Sequence, residues 1–131
     1  MKLYQGIDIV EVGKFRKVLL RNNNFMTDIF TDKERDYCLS KKDPDIHFAG
    51  RFAVKEAGLK ALGIGMSGSG IDHAFQEIET VPGASGKPAL SFRGWVKKIS
   101  DKRGINQFTV SISHSADYAV ASVILAGKED V

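Results

Sequence analysis

The amino-acid sequence predicts an α+β domain in which an antiparallel sheet packs on one long central helix. Three observations lead there. The chain opens on a β-branched run, Gly6 to Val12 (GIDIVEV), that puts Ile7 and Ile9 on one face and Asp8 and Val10 on the other, as a strand does. Its longest segment of helical periodicity, Pro44 to Leu62, lies in the first half. The second half then carries two pairs of strand-like runs with one helix between them, instead of the regular strand–helix alternation of a parallel sheet.

Taken in order, Lys14 to Arg21 places Phe15, Val18 and Leu19 at helical spacing. Thr31-Asp-Lys-Glu34 is a capping box, Thr31 capping and Glu34 reaching back, which predicts a short helix over about Asp32 to Leu39. Asp43-Pro44 offers an N-cap followed by proline at the first helical position. The long helix that starts there is stopped by Gly63 and Gly65. Met66 to Gly70 (MSGSG) reads as a glycine-rich loop. Strands follow at Phe75 to Val81 and Pro88 to Phe92, joined through Pro82 to Gly86. Trp95, Val96 and Ile99 mark a helix ending near Gly104. Gln107 to Ser113 and Tyr118 to Leu125 form the last pair of strands, joined through His114 to Asp117; the second is almost wholly apolar and is expected to be central.

With 131 residues and neither repeat nor linker, the chain reads as a single domain, 1–131. Hydrophobic residues at 43% and charged residues at 27% suit a globular core rather than a disordered chain. No run approaches the ~18 apolar residues needed to cross a bilayer, and MKLYQGIDIV has no apolar signal core, so a cytoplasmic location is expected. The sole cysteine, Cys38, excludes an internal disulfide and reads as a small packing residue. The net charge of +3 admits a phosphorylated ligand, an acidic protein or nucleic acid. Nucleic-acid binding demands aromatics interleaved with basic residues on the surface, whereas the aromatics here mostly fit core positions. Neither nucleic acid nor a membrane is therefore expected as a partner. Lys14, Arg16, Lys17 and Arg21 crowd one short stretch, which alone is the pattern of a solvated helix face.

Two acids stand out. Asp8 sits inside a strand between isoleucines, a costly place unless its face is solvated or a cation pairs with it. On the long helix, Phe48, Phe52 and Leu59 line one side and Ala49, Ala53 and Ala57 the adjoining one, and Glu56 projects into the middle of that apolar surface. Lys60, one turn on, could pair with Glu56. A hard divalent ion held by Asp8 and Glu56 would satisfy both acids, because Mg²⁺ commonly takes one or two carboxylates and leaves its other positions to water and phosphate oxygen. Arg51, Lys55, Lys60, Lys87 and the glycine-rich loop surround the pair as possible phosphate donors. His114 alone reads as a turn histidine between serines, and His47 and His73 lack zinc spacing.

These residues resemble the holo-acyl-carrier-protein synthases, the small 4′-phosphopantetheinyl transferases. GIDIVEV matches that family's first motif, and Phe48 to Gly65 (FAGRFAVKEAGLKALGIG) the second, with Phe52, Lys55, Glu56, Ala57 and Lys60 at its core. FTDKERDYC, the GKP of Gly86 to Pro88 and the SISHS around His114 follow in the family's order. The resemblance implies the 4′-phosphopantetheinyl transferase fold and transfer of the phosphopantetheine arm of coenzyme A to a serine of apo-acyl carrier protein, releasing 3′,5′-ADP, in fatty acid or polyketide biosynthesis. It implies Mg²⁺ on Asp8 and Glu56, with Lys60 stabilising the phosphates and Glu56 or a metal-bound water as the base. Coenzyme A contacts fall on Arg51, Lys60, Gly63, Lys87, Pro88 and His114. The resemblance also implies a homotrimer with active sites between subunits. An acidic carrier protein would dock on Lys14, Arg16, Lys17 and Arg21, where Lys14 keeps the charge but not the fork of the arginine common at that position.

Overall fold

The structure, a computed structural model, describes residues 1–65 and 71–128. The loop expected at Met66 to Gly70 lies outside the described residues. The elements run β1 (Lys2–Glu11), α1 (Val12–Arg21), α2 (Phe25–Ile29), α3 (Asp32–Leu39), α4 (Pro44–Ala61), α5 (Ile71–Gln76), β2 (Ile78–Pro82), a turn of 3₁₀ helix (Ala84–Gly86), β3 (Pro88–Phe92), α6 (Gly94–Lys102), β4 (Ile105–His114) and β5 (Tyr118–Gly127). The class is α+β, with antiparallel strands divided between two sheets: β1-β5-β4 and β2-β3.

Strand β5 is central, as its apolar sequence requires. Its residues Ala119, Ala121, Val123 and Leu125 point inward and are buried. Opposite them on β1 stand Val10, Asp8, Gly6 and Tyr4. Helix α4 lies across this inner face, packed on both β1 and β5. Gly6 makes that contact possible: a Cβ there would meet the Ala57 carbonyl oxygen at 1.9 Å and the Ala61 nitrogen at 2.8 Å. No side chain fits in that gap, so helix and strand touch backbone to backbone. Phe15, Phe25, Phe30, Phe48, Phe52 and Phe75 close the other side of α4 as a connected aromatic group, with ring centroids 4.9–6.3 Å apart.

The capping box of α3 forms as expected, with Thr31 accepting from the Glu34 amide and Glu34 accepting from the Thr31 amide. Other boundaries move. Strand β1 starts at Lys2, because the chain before Gly6 also pairs, through Gly127, with the end of β5. Helix α1 already includes Val12, which is buried. The short α2 has no sequence counterpart in the expected order; one turn gives periodicity too little length, and α2 forms where Ile29 and Phe25 meet the core. Phe75 belongs to helix α5 instead of a strand, packed on Phe52 at 5.5 Å, and β2 begins only at Ile78. His114 is the last residue of β4, paired with Ala119, not part of the turn. Asp43 precedes Pro44 as expected, yet its side chain does not cap α4: it accepts from Arg16 at 3.0 Å.

Candidate active site

The same contact that Gly6 permits sets the site. Asp8 lies two residues further along the inward face of β1, and Glu56 and Lys60 flank Ala57 on α4. Lys60 Nζ donates to Asp8 Oδ1 at 2.7 Å and to the Ile7 carbonyl at 3.3 Å. The Asp8 side chain keeps 12% of its accessible surface while that of Lys60 keeps 49%, so the pair stands at the mouth of the site, not within the core. Burial pushes the Glu56 carboxyl up to about 8, the hydrogen bond to Asp8 and its charge push the same way, and Lys60 opposes them. Lys60 is itself raised, chiefly by its hydrogen bond to Asp8. Without metal, Glu56 is thus held largely protonated at neutral pH, beside Asp8 and the Lys60 ammonium. Ionising both carboxyl groups would set two negative charges against one ammonium, a deficit of positive charge that a further cation would fill.

That deficit tests the fit of a divalent ion. Among the described residues no group of three or more His, Cys, Asp or Glu gathers to hold a metal. A site of Asp8 and Glu56 alone would leave most positions for water and ligand oxygen, which suits Mg²⁺ and not a closed zinc site. The residues present fit such an ion.

A second group of candidate residues sits along the same helix. Arg51 stacks on the Tyr37 ring, its guanidinium carbon 4.0 Å from the centroid, and its Nε is buried without a hydrogen-bond partner among the described residues. His114 reaches the neighbourhood from the end of β4. The sheet register sets its distance from the acids: His114 pairs with Ala119, which pairs with Val10, one inward position beyond Asp8. Two strand spacings across and two residues along separate the backbones by about 12 Å. Gly63 lies just beyond α4 at φ +70°, a left-handed conformation that glycine adopts freely and that ends the helix. Lys87 ends the turn into β3 and Pro88 is the first residue of that strand, on the smaller sheet, and no described contact brings them to Asp8 or Glu56.

Lys55 is a correction. It does not flank the site as a phosphate donor. Its side chain is fully buried, paired with Glu34 Oε1 at 2.7 Å and donating to the carbonyls of Phe75 and Ile78 at 2.8 and 2.6 Å. No ligand reaches it. The physical reason is that the aromatic group seals that side of α4, and only a capped, buried glutamate can balance the charge there. Arg16 likewise has partners at home, Asp43 and Asp45 at the start of α4, at 3.0 and 3.1 Å. Lys14, Lys17 and Arg21 are exposed along α1, Lys14 within 3.7 Å of Glu11. Cys38 is buried and its thiol is pushed up to about 12, chiefly by burial, so it packs instead of reacting. Sequence reasoning misses Tyr37, Lys41 and His47 as a group, which the structure gathers beside Arg51; the spacing of His47 and Arg51, one turn apart on α4, is the signal that points to it.

A model of the 4′-phosphopantetheinyl transferase superfamily matches residues 5–123, and the chain belongs to that family. It is therefore a transferase. More narrowly, the matched relatives are holo-[acyl-carrier-protein] synthases: that of Caldanaerobacter subterraneus subsp. tengcongensis is 38% identical over 130 residues, covering 99% of both chains. Two solved structures share the fold. The Chronobacterium ammoniagenes ACPS-CoA complex superposes with a TM-score of 0.86 at 29% identity, covering 98% of this chain and 100% of that one. The Bacillus anthracis holo-(acyl-carrier-protein) synthase in complex with CoA (3′,5′-ADP) gives 0.74 at 35% identity, covering 95% and 96%.

Proposed function

We propose that this single-domain enzyme moves 4′-phosphopantetheine from coenzyme A to a serine hydroxyl of apo-acyl carrier protein, with Mg²⁺, and releases 3′,5′-ADP. The observation that carries the reading is the Asp8–Glu56–Lys60 cluster, two carboxyl groups short of positive charge beside an exposed ammonium. The relatives' synthase activity and the coenzyme A in the two neighbours named above support the substrate. The serine oxygen forms a bond to the β-phosphorus of coenzyme A, the bond from that phosphorus to the bridging oxygen breaks, and 3′,5′-ADP leaves with the electron pair. Asp8 and Glu56 would hold Mg²⁺, which when bound neutralises charge on the pyrophosphate oxygens. Lys60, kept charged by Asp8, has the reach to turn from it toward a phosphate oxygen and hold the leaving group in line. Glu56, or a water beside it, takes the serine proton. Arg51, and His114 with its backbone about 12 Å across the sheet from that of Asp8, suit a second phosphate of the same ligand, and Gly63, Lys87 and Pro88 complete its contacts. Lys14, Lys17 and Arg21 would attract an acidic carrier protein, with Arg16 bracing α1 against α4.

The proposal extends to assembly and place. Leu3, Ile7 and Ile9 on the outward face of β1 are 59%, 60% and 63% exposed, beside Val120 and Ile124 of β5. Such a stripe supports burial against further copies of the chain, as a homotrimer with sites between subunits. No described helix is long and apolar enough to cross a membrane. A cytoplasmic enzyme serving fatty acid synthesis, or polyketide synthesis, is the context we propose.

Mass spectrometry of apo-acyl carrier protein incubated with the enzyme, coenzyme A and Mg²⁺ tests the reading. The carrier is expected to gain one phosphopantetheine arm, and Glu56→Gln to give none while staying folded. No gain with several carriers would favour a protein that binds carrier or coenzyme A without transfer, and wild-type turnover in the variant would remove Glu56 from the mechanism.

A further inference from the structure

We propose that His47 takes up a proton when a phosphate group of the ligand docks against Arg51 and Lys41, so that coenzyme A binds more weakly as pH rises. The inference rests on the coenzyme A reading and adds to it a residue and a proton. Five side chains from α3, the α3–α4 connection, α4 and β4 form one cluster. The Tyr37 ring carries the Arg51 guanidinium at 4.0 Å and the Lys41 ammonium at 4.6 Å. His47 stands edge-on to Tyr37 at 6.1 Å and to His114 at 5.4 Å. Two cations on one aromatic ring repel each other, and the buried Arg51 Nε has no acceptor among the described residues. A guanidinium does not shed its proton to relieve this. The arrangement is short of an anion.

His47 feels that shortage. Burial lowers its pKa from 6.5, and the neighbouring His114, Arg51 and Lys41 lower it further. The acid that opposes them is Asp43, which Arg16 engages through both carboxylate oxygens, at 3.2 and 3.0 Å. In the free protein at neutral pH His47 is accordingly uncharged. A docked phosphate dianion reverses the local field and favours the imidazolium. Since the bound form then holds the proton to higher pH than the free form, affinity is greatest at low pH and falls as pH rises through the interval between the two. A histidine that only packs against Tyr37 would do none of this.

The test is isothermal titration of coenzyme A into the intact protein at pH 7 in two buffers of different ionisation enthalpy, with Kd measured from pH 6 to 8. The ligand's phosphate titrates at about 6 on its own, so the comparison of wild type with His47→Phe decides; the phenyl ring keeps the contacts with Tyr37 and His114. The variant is expected to lose part of the proton uptake and flatten the pH dependence, by roughly tenfold in Kd for each unit that binding moves the pKa. His47→Gln should do the same, and stands in if the phenyl variant does not fold. Equal proton uptake in wild type and variant overturns the inference and leaves the transferase reading intact. No binding to the wild type overturns both.

Discussion

Replacing Gly6 by alanine tests how the site is assembled. A Cβ at Gly6 would lie 1.9 Å from the Ala57 carbonyl oxygen, and bringing that contact to an ordinary 3.4 Å requires α4 to retreat by about 1.5 Å. Neither atom that the methyl meets can rotate away, because both belong to helix backbone. Glu56 and Lys60 travel with that turn. The Lys60–Asp8 contact of 2.7 Å would then open to about 4.2 Å, beyond hydrogen-bonding range. Overpacking of this kind costs about 1–3 kcal/mol, from which ~0.4–1 kcal/mol returns through the stiffer unfolded chain. Turnover should suffer more than stability, since a misplacement of about 1 Å at a reacting centre costs roughly 10²-fold. Urea denaturation measures the first effect, and carrier modification at saturating coenzyme A the second. A Gly6→Ala enzyme with wild-type midpoint and wild-type turnover would refute the view that backbone contact between β1 and α4 aims the three residues.

Further outcomes follow from other contacts. Glu34→Ala or Lys55→Ala leaves the other charge buried alone and should cost about 3–5 kcal/mol in urea denaturation; an unchanged midpoint would show that the pair carries no such burden. Without metal, the raised Glu56 carboxyl binds more protons in the folded state than in the unfolded one between about 4.5 and about 8. Stability in chelator should therefore fall as pH rises across that window, and Glu56→Gln should remove the fall. A parallel pH dependence in both proteins would contradict the burial assigned to Glu56. Ile9→Lys places a charge on the outward face of β1, 63% exposed in the single chain; sedimentation should show a smaller species than wild type, and an unchanged assembly would move the interface elsewhere.

Much of this was legible in the sequence where a residue broke a local rule. Glu56 interrupts an apolar helix face, and its raised carboxyl is the cost of that interruption. The capping box named both its partners, because its chemistry is confined to four residues. Asp8 was less conspicuous: it needed a partner from α4, and only the tertiary approach at Gly6 supplies Lys60. Lys55 eludes the sequence for the same kind of reason. One-dimensional spacing places it among the phosphate donors around the acids, while its true depth depends on α3 and β2 arriving there with Glu34 and the Ile78 carbonyl. Helices α2 and α5 are too short for periodicity to register, and Phe75 was taken for strand because an aromatic in a brief apolar run fits either state.

Lys55 and Glu56 are adjacent in sequence and face opposite surroundings, one sealed inside and one turned to the cleft. The buried pair works as a key in a slot: with the Glu34 carboxylate and two main-chain oxygens gripping one ammonium, any roll of α4 about its axis would have to break these contacts. Rolling is the motion that would swing Glu56 away from Asp8. A substitution at Lys55 would thus abolish turnover while touching no substrate, and activity measurements alone would credit it with binding phosphate. Only a measurement of helix orientation, such as the Glu56 ionisation, separates a residue that does chemistry from one that points its neighbour.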